Sequence, residues 1–301
     1  HDIKKPASKD QSKKTANKKK ATKVKKVSAK NGYHLVIRNL ATQKEDTIKY
    51  VKSYVFAKEG KKLAYITSGK TGAKKGGVFV LNFNNNQTAE VFSATNKAKY
   101  YQLTLNDAGT NLAFVVDVDT TKALVRPHQL YVWKGSGKAS EVKAQNAAAN
   151  GYKISSNGRI TFSKDNSKMY FGLATQPIVK DTTLLRNEIV NVEVWSYDSP
   201  RLYTVQEIQV NSDKRKSYTA ALHLNSNKVV QLATTKYPSA SIGNEGNEEN
   251  VLISNPTPYM LESQWTGMRA SDYAIKNSAT GAVKNILTEV AGGARLSPQG
   301  K

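Results

Sequence analysis

The sequence predicts an all-β fold built from β-propeller blades. Two observations carry that prediction: a repeated hairpin ending in a strongly apolar strand, and a second repeated hairpin between its copies. The first appears in SYVFAKEGKKLAYITS (53–68), YQLTLNDAGTNLAFVVD (101–117) and GRITFSKDNSKMYFGLA (158–174). Each copy turns at Gly60, Gly109 or Asn166, residue types that tolerate the positive φ of a tight hairpin. A weaker copy, SASIGNEGNEENVLIS (239–254), places Gly246 at the same point. A fifth, GGARLSPQGK (292–301), reaches its turn at Gly300.

The second hairpin appears in HLVIRNLATQKEDTI (34–48), GVFVLNFNNNQTAEVF (77–92), QLYVWKGSGKASEV (129–142), AALHLNSNKVVQL (220–232) and DYAIKNSATGAVKNI (272–286). Its strands are rich in β-branched and aromatic residues, and its turns in Asn, Gly, Ser and Thr. Two hairpins make a four-stranded antiparallel unit that recurs every 49 to 80 residues, by the turn positions above. With no helix-length 3.6-residue pattern between the units, this period indicates a propeller rather than a β-sandwich. LAYI (63–66), LAFVV (112–116) and MYF (169–171) read as strands covered on both faces by neighbouring blades. Segments 173–189 and 233–245 read as loop insertions.

Residues 1–33 form a separate region. Residues 1–30 hold twelve Lys and two Asp, so +10 of the formal net charge of +23 lies there. Large apolar residues are nearly absent, so this stretch cannot offset its own ordering entropy and is expected to be a disordered arm or loop. A basic tail that holds phosphates or anionic lipid is the functional reading of the same charge. No aromatic side chain is interleaved with the lysines, so a nucleic-acid partner is not expected.

Candidate chemistry is sparse. Cysteine is absent, which excludes disulfides and thiolate sites. No apolar run reaches membrane-spanning length. No Ser sits in the G-x-S-x-G elbow of α/β-hydrolases, and Gly72-Ala73-Lys74-Lys75-Gly76-Gly77 lacks the Lys-Ser/Thr ending of a phosphate loop. The histidines (His1, His34, His128, His223) suggest no triad or metal set, and His34 and His223 read as exposed or edge side chains. Asp117 and Asp119 read as solvated loop acids rather than a cation site. Adjacent Glu248 and Glu249 read as a solvated turn, and Asn86-Gln87-Thr88 as a chance sequon. No catalytic residue, cofactor site or metal site is assigned.

The hairpins, together with PIVKDTTLLRNEIVNVEVWSYDSPRLYTVQ (177–206), YTAALHLNSNKVVQLAT (218–234) and ESQWTGMRASDYAI (262–275), resemble the propeller region of prolyl oligopeptidase-family serine peptidases. The resemblance covers roughly residues 34–301, runs closest to large secreted or periplasmic members from Bacteroidetes, and is most specific over Val190–Gln206. VIRNLAT (36–42) stands where relatives carry a similar strand after a variable charged loop. Trp195-Ser196-Tyr197 departs from the aromatic pair around His that relatives show. The resemblance implies a seven- or eight-bladed propeller, of which residues 34–301 are a truncated part, joined to a C-terminal α/β-hydrolase domain absent here. It implies periplasmic or secreted location, and a non-catalytic role gating short peptides to that domain. Paired glutamates that grip a substrate amino terminus in some relatives lie in a helical insertion, unlike Glu248 and Glu249. The alternative is a stand-alone propeller that binds a protein or glycan.

Overall fold

The structure is a computed structural model that describes residues 31–69, 76–95, 97–121, 123–144, 151–179 and 195–297, with scattered positions between 181 and 192. The Lys-rich residues 1–30 and the turn at Gly300 lie outside the described residues. The described strands form four antiparallel sheets, each a meander in chain order.

Sheet one contains β1 (Tyr33–Arg38), β2 (Glu45–Phe56), β3 (Lys62–Thr67), β4 (Gly77–Asn82) and β5 (Gln87–Ser93). Its blade proper runs from the second half of β2 to β5. Blade two is β6 (Lys99–Leu105), β7 (Leu112–Asp117), β8 (His128–Trp133) and β9 (Ser140–Val142). Blade three is β10 (Tyr152–Ile154) with β11 (Thr161–Phe162), then β12 (Lys168–Thr175), β13 (Tyr218–His223) and β14 (Val229–Gln231). Blade four is β15 (Ser239–Ile242), β16 (Asn250–Asn255), β17 (Ala270–Asn277) and β18 (Val283–Ala291).

Three of the four expected turns, at Gly60, Gly109 and Asn166, are equivalent in atomic detail, whereas Gly246 ends a short 3-10 helix, Asn244–Gly246, in a longer hairpin. The N–H of Gly60, Gly109, Asn166 and Gly246 donates to the carbonyl three residues back, on Ala57, Asn106, Ser163 and Gly243, at 2.8–3.0 Å. All four residues have positive φ, between 58° and 87°. In the first three the ladder closes identically: Ala57, Asn106 and Ser163 each donate to the carbonyl five residues on, at 2.9 Å. These turns also touch along the ring. Glu59 N–H donates to Asp107 O (3.1 Å), Lys164 N–H to Glu245 O (3.2 Å), and Asp165 N–H to Asn247 Oδ1 (2.9 Å).

Between sheets lie shared apolar cores, which is what makes these sheets blades. Ala64, Ile66, Val78 and Val80 of blade one pack with Leu112, Phe114 and Val116 of blade two. The other face of blade two, with Ala113, Val115, Leu130 and Val132, packs on Met169, Phe171 and Leu173 of blade three. Tyr170, Ala221 and Val230 then pack on Val251, Ile253 and Ala274 of blade four. The second strand of each blade is therefore covered on both faces, and β7 is buried at every residue.

Three expectations are corrected. The segment 173–189 is not an insertion from its start: β12 runs through Thr175, and the loop extends from 176 to 217. Segment 233–245 is not an insertion, because it contains β15, the first strand of blade four. Helices do occur between strands, as α1 (Tyr203–Asp213) and α2 (Met260–Thr266). Neither buries a residue against the core, so no 3.6-residue apolar stripe marks them in the sequence.

Candidate functional site: the loop face

An antiparallel meander alternates the ends at which its connections emerge. The tight turns therefore share one face of the blades, and the second-to-third strand connections share the other. These connections are 68–76, 118–127, 176–217 and 256–269, and the last two contain the helices. The loop face is where the chain spends its irregular residues, and loops on a rigid scaffold are where binding groups concentrate.

In the 118–127 loop, Asp117 and Asp119 are not the solvated acids expected. The Asp117 side chain is 0% exposed, and Arg126 lays Nε (2.7 Å) and Nη2 (2.6 Å) on its Oδ2. Arg126 Nη1 reaches Asp119 Oδ2 at 3.0 Å, and Nη2 donates to the Asp119 carbonyl at 2.8 Å. Asp119 Oδ1 accepts from the Thr121 hydroxyl (2.6 Å) and N–H (2.8 Å). Those bonds, and Arg126 beside it, hold the Asp119 carboxyl below its usual range. The acids were legible, but their partner nine residues on from Asp117 was not, because the loop that returns Arg126 has no periodic signal.

His128 pairs with Asp117 across β7 and β8 and sets its ring edge-on to Tyr101, centroids 5.4 Å apart. Burial lowers the His128 pKa, outweighing the raising effect of Asp117. His223 donates from Nε2 to Ser278 O at 2.8 Å, and His34 lies against the Tyr50 ring. His1 lies outside the described residues. The geometry thus gives the three described histidines structural neighbours. Glu249 accepts from Asn277 Nδ2 within blade four at 3.1 Å, and the Glu248 carbonyl accepts from Lys168 Nζ at 3.0 Å, a bond that ties blade four to blade three.

The 176–217 loop packs against the 256–269 loop over the blades. Gln264 on α2 bridges them, accepting from Leu202 N–H at 3.0 Å and donating to Pro200 O at 3.1 Å. Arg201 reaches the C-terminal half of α1, at Gln209 Oε1 (2.5 Å) and Asp213 Oδ2 (2.7 Å). The Arg201 hydrogen bond holds Asp213 below the usual carboxylate range. An 11-residue helix with no buried side chain is marginal by itself, so these tethers hold it in place. Trp195 stacks on Tyr203 with centroids 5.1 Å apart, while Trp195, Tyr197, Trp265 and Met268 remain exposed.

Beneath these loops runs a cleft of about 860 Å³ that reaches Gln102 on β6, Asn157 between β10 and β11, and Ser239 on β15. Arg201, Arg215, Lys216 and Asp213 line its helical wall, giving it a positive balance. A second groove of about 570 Å³ lies between α1 and α2, lined by Val205, Tyr259 and Met260. The arrangement suits an extended polar ligand with anionic or carbonyl groups facing the helical wall. The sequence pointed to 177–206 through its resemblance and left the cleft unread, because its floor comes from strands far apart in the chain.

No protein-family model matches the chain, and no curated protein matches it. Among solved structures, the chain is similar to prolyl endopeptidases at 10% identity and a TM-score of 0.41, covering 84% of this chain and 30% of that one. It is similar to the tricorn protease at 13% identity and a TM-score of 0.38, covering 90% and 26%. It is similar to TolB from Acinetobacter baumannii at 12% identity and a TM-score of 0.33, covering 85% and 49%. The chain thus spans between a quarter and a half of the length of these structures. None of them bears on a Bacteroidetes origin. The β-propeller fold rests on the blades themselves, antiparallel meanders that pack face to face through shared apolar cores.

Proposed function

We propose that this chain is the non-catalytic propeller part of a serine peptidase of the prolyl oligopeptidase type. In this reading the propeller gates short peptides toward an α/β-hydrolase domain that lies outside residues 1–301. One observation carries the reading. The segment that most specifically resembles that family, Val190–Gln206, supplies Pro200 and Arg201 to the lining of the loop-face cleft. Exposed Trp195 and Tyr197, and Trp265 on α2, are large aromatic side chains that a second domain can cover. Among the described residues no helix is long and apolar enough to cross a membrane. Periplasmic or secreted location is part of the same proposal.

Acyl transfer needs an activated hydroxyl, an oriented imidazole and oxyanion donors. The proposal assigns all three to the hydrolase domain and leaves selection by size to the blades. The test is labelling with a serine-directed covalent inhibitor. The reading expects no labelling and no peptide turnover for the 301-residue chain, and both for the longer protein that contains it. Turnover by the 301-residue chain alone overturns it.

The same exposed aromatics favour one second reading, a stand-alone propeller that binds a protein or glycan through Trp195, Tyr197 or Trp265. The two readings part on whether the reading frame continues into a G-x-S-x-G domain.

A further inference from the structure

We infer that the loop-face cleft anchors a peptide by a carboxylate, held by Arg215 and Lys216 just past the end of α1. The inference rests on the peptidase reading for its peptide, while the carboxylate follows from the charges of the cleft. Three cations line it, Arg201, Arg215 and Lys216, and Asp213 is the one carboxylate among the described residues that do. Arg201 occupies that carboxylate, with Nη2 on Oδ2 at 2.7 Å, and Lys216 adds a weaker pull on it. The lining acid thus offsets one cation of the three.

Both remaining cations are held in place. Arg215 Nε donates to Asn211 O at 3.0 Å, which leaves its two terminal nitrogens for a ligand. Lys216 Nζ stands 5.6 Å from the centroid of the Tyr218 ring, a buried side chain at the start of β13. A planar guanidinium with both terminal nitrogens open matches the two oxygens of a carboxylate. An ammonium beside it adds charge without demanding one direction of approach.

The rest of the lining suits a peptide main chain. Gln102 and Asn157 bring amides to it, and Ser239 and Thr257 bring hydroxyls. Gln102 sits at a φ of 54° in the bulge of β6, a device that re-aims a side chain. Its Nε2 donates to Ser156 O at 3.2 Å, so Oε1 is left to accept from a peptide N–H. None of the described lining residues is aromatic. The cleft therefore lacks a ring for a sugar face to stack on, which favours a peptide over an acidic glycan.

The probes are N-terminally fluorophore-labelled Ala-Gln-Ala-Leu with a free carboxyl terminus, its carboxyl-terminal amide, and Ala-Glu-Ala-Leu amide. Each is titrated into the 301-residue chain at low salt. The inference expects saturable binding of a carboxylate-bearing peptide, and binding of the uncharged amide weaker by about tenfold or more. Tight binding of the free acid identifies a terminal carboxylate as the anchor, and tight binding of the Glu amide a side-chain one. Arg215→Gln with Lys216→Gln should abolish the preference. Lys216→Arg, which keeps the charge, and Lys214→Gln, which removes a lysine outside the lining, should preserve it. All three positions are exposed, so the variants should fold, and unchanged circular dichroism verifies it. Four results overturn the inference: no saturable binding, no preference for a carboxylate, a preference that survives the double variant, or one that Lys214→Gln abolishes equally. Tighter binding of a uronic-acid trisaccharide than of any peptide also overturns it. Inhibitor labelling of the longer protein tests the peptidase reading separately, so the two can fail independently.

Discussion

Arg126 and Asp117 form a bond in which two guanidinium nitrogens converge on one carboxylate oxygen whose side chain is wholly buried. It ties the end of a central strand to the loop face, and it is the point where sequence reading and structure differ most. Removing the cation leaves a buried charge unpaired. Arg126→Met should therefore cost roughly 3–5 kcal/mol of stability. The double change Arg126→Met with Asp117→Leu should recover much of that loss. Urea unfolding of the wild type and both variants checks it, and equal stabilities would contradict the pairing.

Acidification probes the same corner. Burial lowers the His128 pKa, so the unfolded chain binds the proton more readily than the folded one. Its contribution is present above the unfolded value, about 6.5, and is lost as pH falls from there through the folded value. Asp119 and Asp213 are held low, so their contributions persist to about pH 4 and fade below it. Tm should thus decline in two stages, and His128→Gln should remove the stage that begins near pH 6.5 while sparing the acid one.

The repeat makes a graded prediction about two glycines. Gly60 and Gly246 both sit at positive φ, but a Cβ at Gly60 meets nothing within 4 Å, whereas one at Gly246 comes within 2.8 Å of the Tyr170 ring. Gly60→Ala should cost about 1 kcal/mol, the left-handed penalty alone. Gly246→Ala should cost clearly more, because Tyr170 also donates to the Gly246 carbonyl at 2.8 Å and has to move. Chemical denaturation of the two variants side by side gives the comparison.

The blade architecture was legible because two hairpins recur with their turn residues in step, and a second strand buried on both faces must be apolar throughout. Gly60, Gly109 and Asn166 mark those turns at matching positions, and Gly246 marks the longer fourth one. The loop face was not legible for a different reason. Arg201, Gln264 and Arg126 act through single bonds across irregular chain, and no period or motif records which residue will meet them. Helix α1 escaped because Tyr203, Val205, Ile208 and Val210 form no continuous stripe and none is buried.

Gln264→Ala tests whether the tethers hold α1. Two hydrogen bonds to the 176–217 loop are lost, while the blades keep every contact described above. Tm should move little, since solvent-facing bonds contribute about 1 kcal/mol each at most. Amide exchange over residues 202–213 should accelerate several-fold. Unchanged exchange there would show that α1 is held by something other than Gln264.

The proposed gating role is tested most directly by a peptide-length series on the full-length protein that contains these blades. Substrates share one scissile sequence and grow by added residues on either side, ending with the same sequence inside a folded domain. The account predicts inhibitor-sensitive cleavage that falls steeply with length and is absent for the folded substrate, because a substrate has to pass the loop face to reach the chemistry. Equal kcat/KM for short, long and folded substrates would contradict it.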